Sequence, residues 1–244
     1  MGATRFPGKP LQKICGMPMV EHVYRRAQLI DGVTSTYVAT CDIEIFQYIE
    51  SIGGNVVMTS ISHERATDRT AEAVQIIEKN TGQKIDVVIM IQGDEPLLDP
   101  RMFDSMLPYF LDNNIKVVNL MSKLKTQEEF MDANEVKVVC DKNNNALYFS
   151  REPIPSKSKW NGNVTKFKQL GIISFTKDYL LKFYKMPQSL LEKIESIDML
   201  RVLENGEDIK MLETDVVTIG VDTPGELSRV EKIMQNDSLF MTYK

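Results

Sequence analysis

The stretch DVVIMIQGDEP, residues 86–96, constrains the fold more than any other part of the chain. Apolar residues run unbroken from Val87 to Ile91, with Ile85 just upstream. A run without polar alternation predicts a strand covered on both faces, as in a central parallel sheet. Such a sheet needs crossover helices, and the sequence supplies candidates. Met19, Val20, Val23, Ala27 and Ile30 recur at helical spacing between Pro18 and Ile30, and Asp31-Gly32 stops them. The segment STYVATCD then reads as a strand, IEIFQYIESIGG as a helix closed by glycines, and NVVMTS as another strand. A helix is expected from about Asp68 to Asn80, before the apolar run itself. Alternation at this spacing predicts an α/β fold: a three-layer, doubly wound, mostly parallel sheet with helices on both faces.

Beyond residue 96 the pattern changes. Asp99-Pro100 reads as a cap and first helical residue. Strands are then expected at IKVVNLMS, VKVVC and ALYFSREPIP, with a hairpin turn around Asn143-Asn144-Asn145. Residues Ser156 to Thr165 are polar and hold the only tryptophan, Trp160, which predicts a mobile loop. A strand near Leu170 to Phe175 follows, then helices across Lys177 to Tyr184 and Ser189 to Glu204, and a strand at VVTIGVD. Thr223-Pro224-Gly225-Glu226 fits a capping box opening a last helix. With no repeat, low-complexity tract or clear linker, the economical reading is a single domain, 1–244, carrying a β-rich inserted portion.

Composition narrows the function classes. Hydrophobic residues make up 43% and charged residues 26%, ordinary globular usage. The formal net charge of −5 argues against non-specific attraction to nucleic acid or to an anionic membrane. Cys15, Cys41 and Cys140 fit neither a disulfide framework nor paired zinc spacing, and His22 and His63 are the only histidines. No stretch has the length of a membrane span and the start lacks a signal-peptide layout, so a soluble cytoplasmic protein is expected.

Two acidic residues stand where chemistry is expected. Asp94 in QGDEP and Asp222 in GVDTP each follow a predicted strand. Open α/β sheets bind ligands beyond the carboxyl ends of their strands, so the two can converge. Carboxylates converging with phosphates make a magnesium site. Taken singly, either aspartate reads equally as a strand end and turn residue. The opening MGATRFPGKPL offers glycines, prolines and two cations, Arg5 and Lys9, in the manner of a phosphate-binding turn. It is not the ATPase loop, because no Gly-Lys-Ser/Thr occurs. Its cations also read as solvated charges at a terminus.

The segments GATRFPGKPL, VATCD, GGNVVMTS, ATDRTAEA, IQGDEPLL, VKVV, ALYFSREPIP, LRVLENGEDI and VDTPGEL stand in the order and spacing of the 3-deoxy-manno-octulosonate cytidylyltransferases, or CMP-Kdo synthetases. The chain resembles that family over essentially its whole length. The resemblance implies transfer of CMP from CTP to the anomeric hydroxyl of a 3-deoxy-2-ulosonic acid, with pyrophosphate released, for bacterial surface polysaccharide or lipopolysaccharide synthesis. It implies magnesium on Asp94 and Asp222, with Asp94 also catalytic, and Arg5 and Lys9 on the departing pyrophosphate. It implies nucleotide contacts from Gly2, Ala3, Thr4, Arg69 and Gln92, where Arg69 reads equally as a helix-surface partner of Glu72. Arg151 is expected to grip the sugar carboxylate, with Gln169, Asp198 and Arg201 also in the sugar site. Residues 1–110 would form mainly the CTP-binding half, 111–180 a β-rich dimerisation and sugar portion, and 181–244 the return to the core sheet. A homodimer is implied, with an apolar face expected around residues 115–150.

The chain also departs from the family's pattern. Family members carry an apolar strand ending in Pro-Ala-Arg before the opening loop, so the sequence reads as truncated at its amino end, and a catalytically inactive nucleotide-binding homologue is the alternative reading. Arg65-Ala66-Thr67-Asp68-Arg69 stands for Ser-Gly-Thr-Asp-Arg, Gln169 for a histidine, Ile173 for a tyrosine, and Ile197-Asp198-Met199-Leu200-Arg201 for Leu-Glu-Gln-Leu-Arg. Changes gathered on the sugar side suggest a modified acceptor, such as an amino-octulosonate or a nonulosonate.

Overall fold

The computed structural model of the chain describes residues 6–111, 115–156, 159, 162–216 and 218–244. In chain order the elements are β1 (Lys13–Ile14), β2 (Met17–Pro18), α1 (Met19–Ala27), β3 (Val38–Thr40), α2 (Ile43–Ser51), β4 (Val56–Met58), α3 (Ala66–Thr81) and β5 (Val87–Ile91). They continue with β6 (Val117–Lys123), α4 (Gln127–Met131), β7 (Lys137–Cys140), β8 (Ala146–Ser150), β9 (Phe167–Thr176), α5 (Lys177–Tyr184), α6 (Leu190–Glu195), α7 (Met199–Glu204), β10 (Lys210–Glu213) and α8 (Pro224–Met234). The α/β class expected from the apolar periodicities is the class observed.

The chain divides into two compact units. The first comprises Met1–Gln83, Ile91–Asp104 and Val216–Lys244, and the second Lys84–Met90 and Ser105–Asp215. In the first unit β3 and β4 pair in parallel, Val38 opposite Val56 and Thr40 opposite Met58, around the crossover α2. That crossover packs so closely that a Cβ on Gly54 would lie 2.8 Å from Ile49 Cγ2 and 3.1 Å from Tyr24 Cε1, which is why glycine stands there. Ile14, Met19, Leu97, Val221, Val230, Met234 and Phe240 form one core cluster, binding α1, α8 and the C-terminal segment together.

In the second unit the strands run in the order β10, β6, β9, β7, β8, and β5 also pairs with β9. β10 lies parallel to β6, whereas β6 with β9, β9 with β7, and β7 with β8 are antiparallel. The register between β6 and β9 shifts between Asn119 and Met121. Asn119, fully buried there, turns its amide to the carbonyls of Leu170 and Ile172, both at 2.9 Å. Backbone acceptors at the irregularity are thereby satisfied without a ladder partner. The β7–β8 turn falls where expected: the Asp141 carboxylate accepts from the N–H groups of Asn143 and Asn145, and Asn144 takes φ 58°.

Two expectations need correction, and one strand stands where the sequence pattern predicts none. VVTIGVD does not form a strand among its described residues; Val221 N–H bonds the Asp94 carbonyl, but no ladder continues beside it. Conversely, the charged segment around β10 is a strand because parallel β6 supplies its ladder, which periodicity cannot reveal. The helix expected from Ser189 to Glu204 is broken at Ser196, which adopts φ 56°, ψ 45° between α6 and α7. The carbonyls of Glu195 and Ser196 leave the helical pattern and accept instead from the Arg151 guanidinium. Of the loop at 156–165, the described residues carry no strand or helix, and Trp160 lies outside them.

A buried polar cluster closes the first unit. His22 Nε2 meets the Ile14 carbonyl at 2.8 Å, so that nitrogen carries the proton, and Nδ1 is left to accept from the Tyr243 hydroxyl at 3.1 Å. The same hydroxyl accepts from Arg26 Nε at 2.8 Å, and Arg26 Nη1 donates to the Leu98 carbonyl at 3.0 Å. Burial, the largest influence, holds the His22 pKa below its ordinary 6.5. The unfolded chain therefore binds more protons than the folded one as pH falls, so this contribution to stability is complete above about pH 6.5 and fades below it. Denaturant titrations from about pH 8 to pH 5 should show stability falling with acidity, by at most about 1.4 kcal/mol per pH unit from this one group. His22→Gln should flatten that slope. Equal slopes in the two proteins would assign the acid sensitivity elsewhere.

Candidate active site

Three segments of the first unit bring charged groups to one point. The first is the 3₁₀ turn Lys9–Leu11, entered through Gly8 at φ 69°, ψ 12°, a left-handed conformation that side chains with a Cβ resist. Phe6 and Gly8 carbonyls accept from the Lys9 and Leu11 N–H groups, so the turn fixes where the Lys9 side chain departs. The second is the turn after β5, where Glu95 N–H closes on the Gln92 carbonyl and presents Asp94. The third is the entry to α8. There the Glu226 carboxylate accepts from the N–H groups of Asp222 and Thr223, both at 2.8 Å, while Thr223 caps the helix. The capping-box pattern predicts Glu226 only as a helix cap; its hold on the Asp222 backbone emerges from the structure. Val221 N–H donates to the Asp94 carbonyl at 2.9 Å, tying the second segment to the third.

Lys9 Nζ stands at the focus, 2.7 Å from Asp94 Oδ2 and 2.8 Å from Asp222 Oδ1. Burial lowers the lysine's affinity for its proton, but the two carboxylates outweigh it and the pKa is raised, so the ammonium stays charged. Side-chain exposures of 14% for Lys9, 24% for Asp94 and 40% for Asp222 leave the cluster open to a ligand on the aspartate side. The expected convergence of Asp94 and Asp222 is thus observed, with an ammonium between them.

That arrangement also tests whether a metal suits the site. Two oxygens already share one cation, and magnesium takes few protein carboxylates, filling its remaining positions with water and substrate phosphate oxygens. Among the described residues no group of three or more His, Cys, Asp or Glu side chains could hold a metal. The donor set therefore fits an ion held jointly by Asp94, Asp222 and a phosphorylated ligand.

The other residues expected at the nucleotide are placed differently. Gln92 is exposed on the turn before Asp94. Arg69, on the first turns of α3, donates to Thr59 Oγ1 at 2.6 Å and to the carbonyls of Ser60 and His63. It does not pair with Glu72, whose carboxylate accepts from Ser60 N–H at 2.7 Å and meets His63 Nε2 at 2.6 Å. Arg69 and Glu72 thus shape the 59–63 loop from two sides. Gly2, Ala3, Thr4 and Arg5 lie outside the described residues.

The sugar-side expectations all fall in the second unit. Arg151, at the end of β8, donates through Nε to the Glu195 carbonyl at 2.6 Å and through Nη1 to the Ala133 carbonyl at 2.8 Å. Its own N–H is accepted by the Glu195 carboxylate, which also takes Ser150 Oγ–H. Arg151 thereby pins the α6–α7 break, and Asp198 follows two residues after it as the entry to α7. Gln169 spends its side-chain amide on Asn119 Oδ1 at 2.7 Å.

Arg201 lies apart from any surface. It is 2% exposed and bonds Glu192, itself 0% exposed, through Nε at 2.8 Å and Nη2 at 2.5 Å, with the Phe183 ring 4.2 Å from its guanidinium carbon. A buried, bidentate pair of this kind locks α6 to α7, and its loss strands a charge in the interior. Glu192→Ala should therefore destabilise the protein by about 3–5 kcal/mol, measured by denaturant unfolding. Glu192→Ala and Arg201→Met together should recover part of that loss. A single variant as stable as the parent would show that the pair is not structural.

The Cytidylyltransferase family model matches residues 1–209. The 3-deoxy-manno-octulosonate cytidylyltransferase of Fusobacterium nucleatum subsp. nucleatum is 43% identical, over 97% of this chain and 94% of its own length. The protein of the same name from Trichlorobacter lovleyi is 40% identical, over 96% and 95%. A solved structure of CMP:2-keto-3-deoxy-manno-octonic acid synthetase complexed with CTP superposes with a TM-score of 0.86 at 36% identity, covering 96% of this chain and 94% of that one. Sequence and fold agree across both compact units, and the chain belongs to the 3-deoxy-manno-octulosonate cytidylyltransferases, a family of nucleotidyltransferase enzymes.

Proposed function

We propose that this chain transfers CMP from CTP to the anomeric hydroxyl of 3-deoxy-manno-octulosonate, supplying activated sugar for bacterial lipopolysaccharide synthesis in the cytoplasm. The observation carrying the reading is the convergence of Asp94 and Asp222 on one cation beside the N-terminal turn. A relative that superposes with a TM-score of 0.86 held CTP. A bond forms between the sugar oxygen and the α-phosphorus, the α–β phosphoanhydride breaks, pyrophosphate leaves, and the hydroxyl proton passes to solvent. Catalysis of such a displacement is mostly positioning and charge neutralisation.

In this reading Asp94 and Asp222 hold magnesium, which when bound neutralises phosphate charge and orients oxygens at the α-phosphorus. Lys9 donates to the departing pyrophosphate, and Arg5, with the backbone at Gly2, Ala3 and Thr4, cradles the triphosphate. Gln92 offers both a donor and an acceptor to the cytosine edge, and Arg69 orders the 59–63 loop. On the sugar side, Asp198 meets the acceptor, whereas Arg151, expected to grip the sugar carboxylate, has its guanidinium on main-chain carbonyls and acts with Gln169 and Arg201 by holding the α6–α7 break, Asn119 and α6 in place. Exposed Leu147 on edge strand β8, with Leu190 and Ile194 on α6, suits a homodimer, which light scattering at twice the chain mass would establish.

Asp94→Asn or Asp222→Asn should lower CTP-dependent pyrophosphate release by about a hundredfold or more while leaving the fold intact. A panel containing 3-deoxy-manno-octulosonate, an amino-octulosonate and nonulosonates, each tried with CTP, UTP and GTP, reads the specificity. Release with none of the acids would refute the assignment, and a clear preference for a substituted acid would move the acceptor to that sugar.

A further inference from the structure

We propose that Lys9 is a resident counterion in the metal seat, so that the divalent ion enters the Asp94–Asp222 pair only when a triphosphate draws the ammonium away. This rests on the reading of those aspartates as metal ligands. The ammonium lies within 2.8 Å of one oxygen of each carboxylate. A divalent ion bound to the same two oxygens would stand next to Nζ, with little solvent between, because Lys9 is only 14% exposed. Two cations cannot share that position against a pair of single carboxylate charges.

The groups around the seat differ in how readily they can move. Asp94 is tied through its carbonyl to Val221 N–H, and Asp222 through its N–H to Glu226. Lys9 is anchored only by its backbone turn, and its four-carbon stem carries a rotatable ammonium that can redirect at small cost. The ligand able to outbid two carboxylates for that ammonium is one bearing several phosphate charges. Each cation then has an anionic partner before and after the exchange: ammonium on carboxylates in the free protein, ammonium on phosphates and metal on carboxylates in the loaded one. Nucleotide and metal consequently favour one another's binding through Lys9, and by linkage the effect is reciprocal.

Manganese, followed by the electron paramagnetic resonance signal of the free ion, is the probe, and the metal counted is that lost in Asp94→Asn. Without nucleotide, Lys9→Met should bind manganese at least about tenfold more tightly than the parent protein. With saturating CTP the parent should bind it and the difference should shrink. Lys9→Met in chelator should also melt at a lower temperature and be restored by manganese alone, whereas the parent's melting temperature should not respond to manganese alone. Lys9→Gln provides the same comparison if the methionine variant does not fold. Should neither variant bind the free metal more tightly while the parent binds it with CTP, displacement by Lys9 is overturned and the metal reading stands. A parent melting temperature raised by manganese alone overturns the displacement as well. Absence of site-bound manganese from the parent even with CTP overturns both.

Discussion

Two carboxylates brought together by folding repel unless a cation joins them, and the first unit is arranged around the cation that does so. Lys9, Asp94 and Asp222 come from an N-terminal turn, the end of a strand and the start of the last helix, and each is held by backbone bonds independent of its charge. The result is an acidic pair whose spacing is set before any ligand arrives. Preorganisation of this kind suits a reaction in which phosphate charge is redistributed and little covalent chemistry is asked of the protein.

The second unit uses its charges in another way. Arg201 and Glu192 neutralise each other in the interior, and Arg151 spends its guanidinium on main-chain carbonyls at the α6–α7 break. These bonds hold backbone in shapes that helix propensity alone would not produce. The sequence departures on the sugar side accordingly divide into two kinds. Asp198 sits at the entry to α7, next to the pinned break, whereas Gln169 is bound to a buried asparagine that satisfies the irregularity between β6 and β9. A change at Gln169 therefore acts on the β6–β9 irregularity, and a change at Asp198 on the segment that Arg151 fixes.

Much of the architecture is legible before folding is considered. The α8 capping box, the Asp99 cap that accepts from Arg101 N–H, the Asp141 turn and the helices α1, α2, α3 and α5 all follow from patterns a few residues long, and all are present. The exceptions share a cause. β10 exists because β6 lies beside it, VVTIGVD lacks a continuing ladder, and the Ser196 break depends on an arginine far away in the chain. A strand is a relation between segments, and a helix yields locally when a distant donor takes its carbonyls.

The sequence by itself determined which residues could carry the chemistry: acidic groups at the ends of Asp94 and Asp222 segments, cations in a glycine and proline turn, and an α/β framework to present them. Only the tertiary structure decided their partners. It gave Lys9 to both aspartates, Arg69 to the 59–63 loop in place of Glu72, and Arg201 to Glu192 in the interior. Local patterns reflect backbone preferences over one or two turns, whereas the pairing of charges depends on which segments the core brings within about 4 Å and how far it shields them from water.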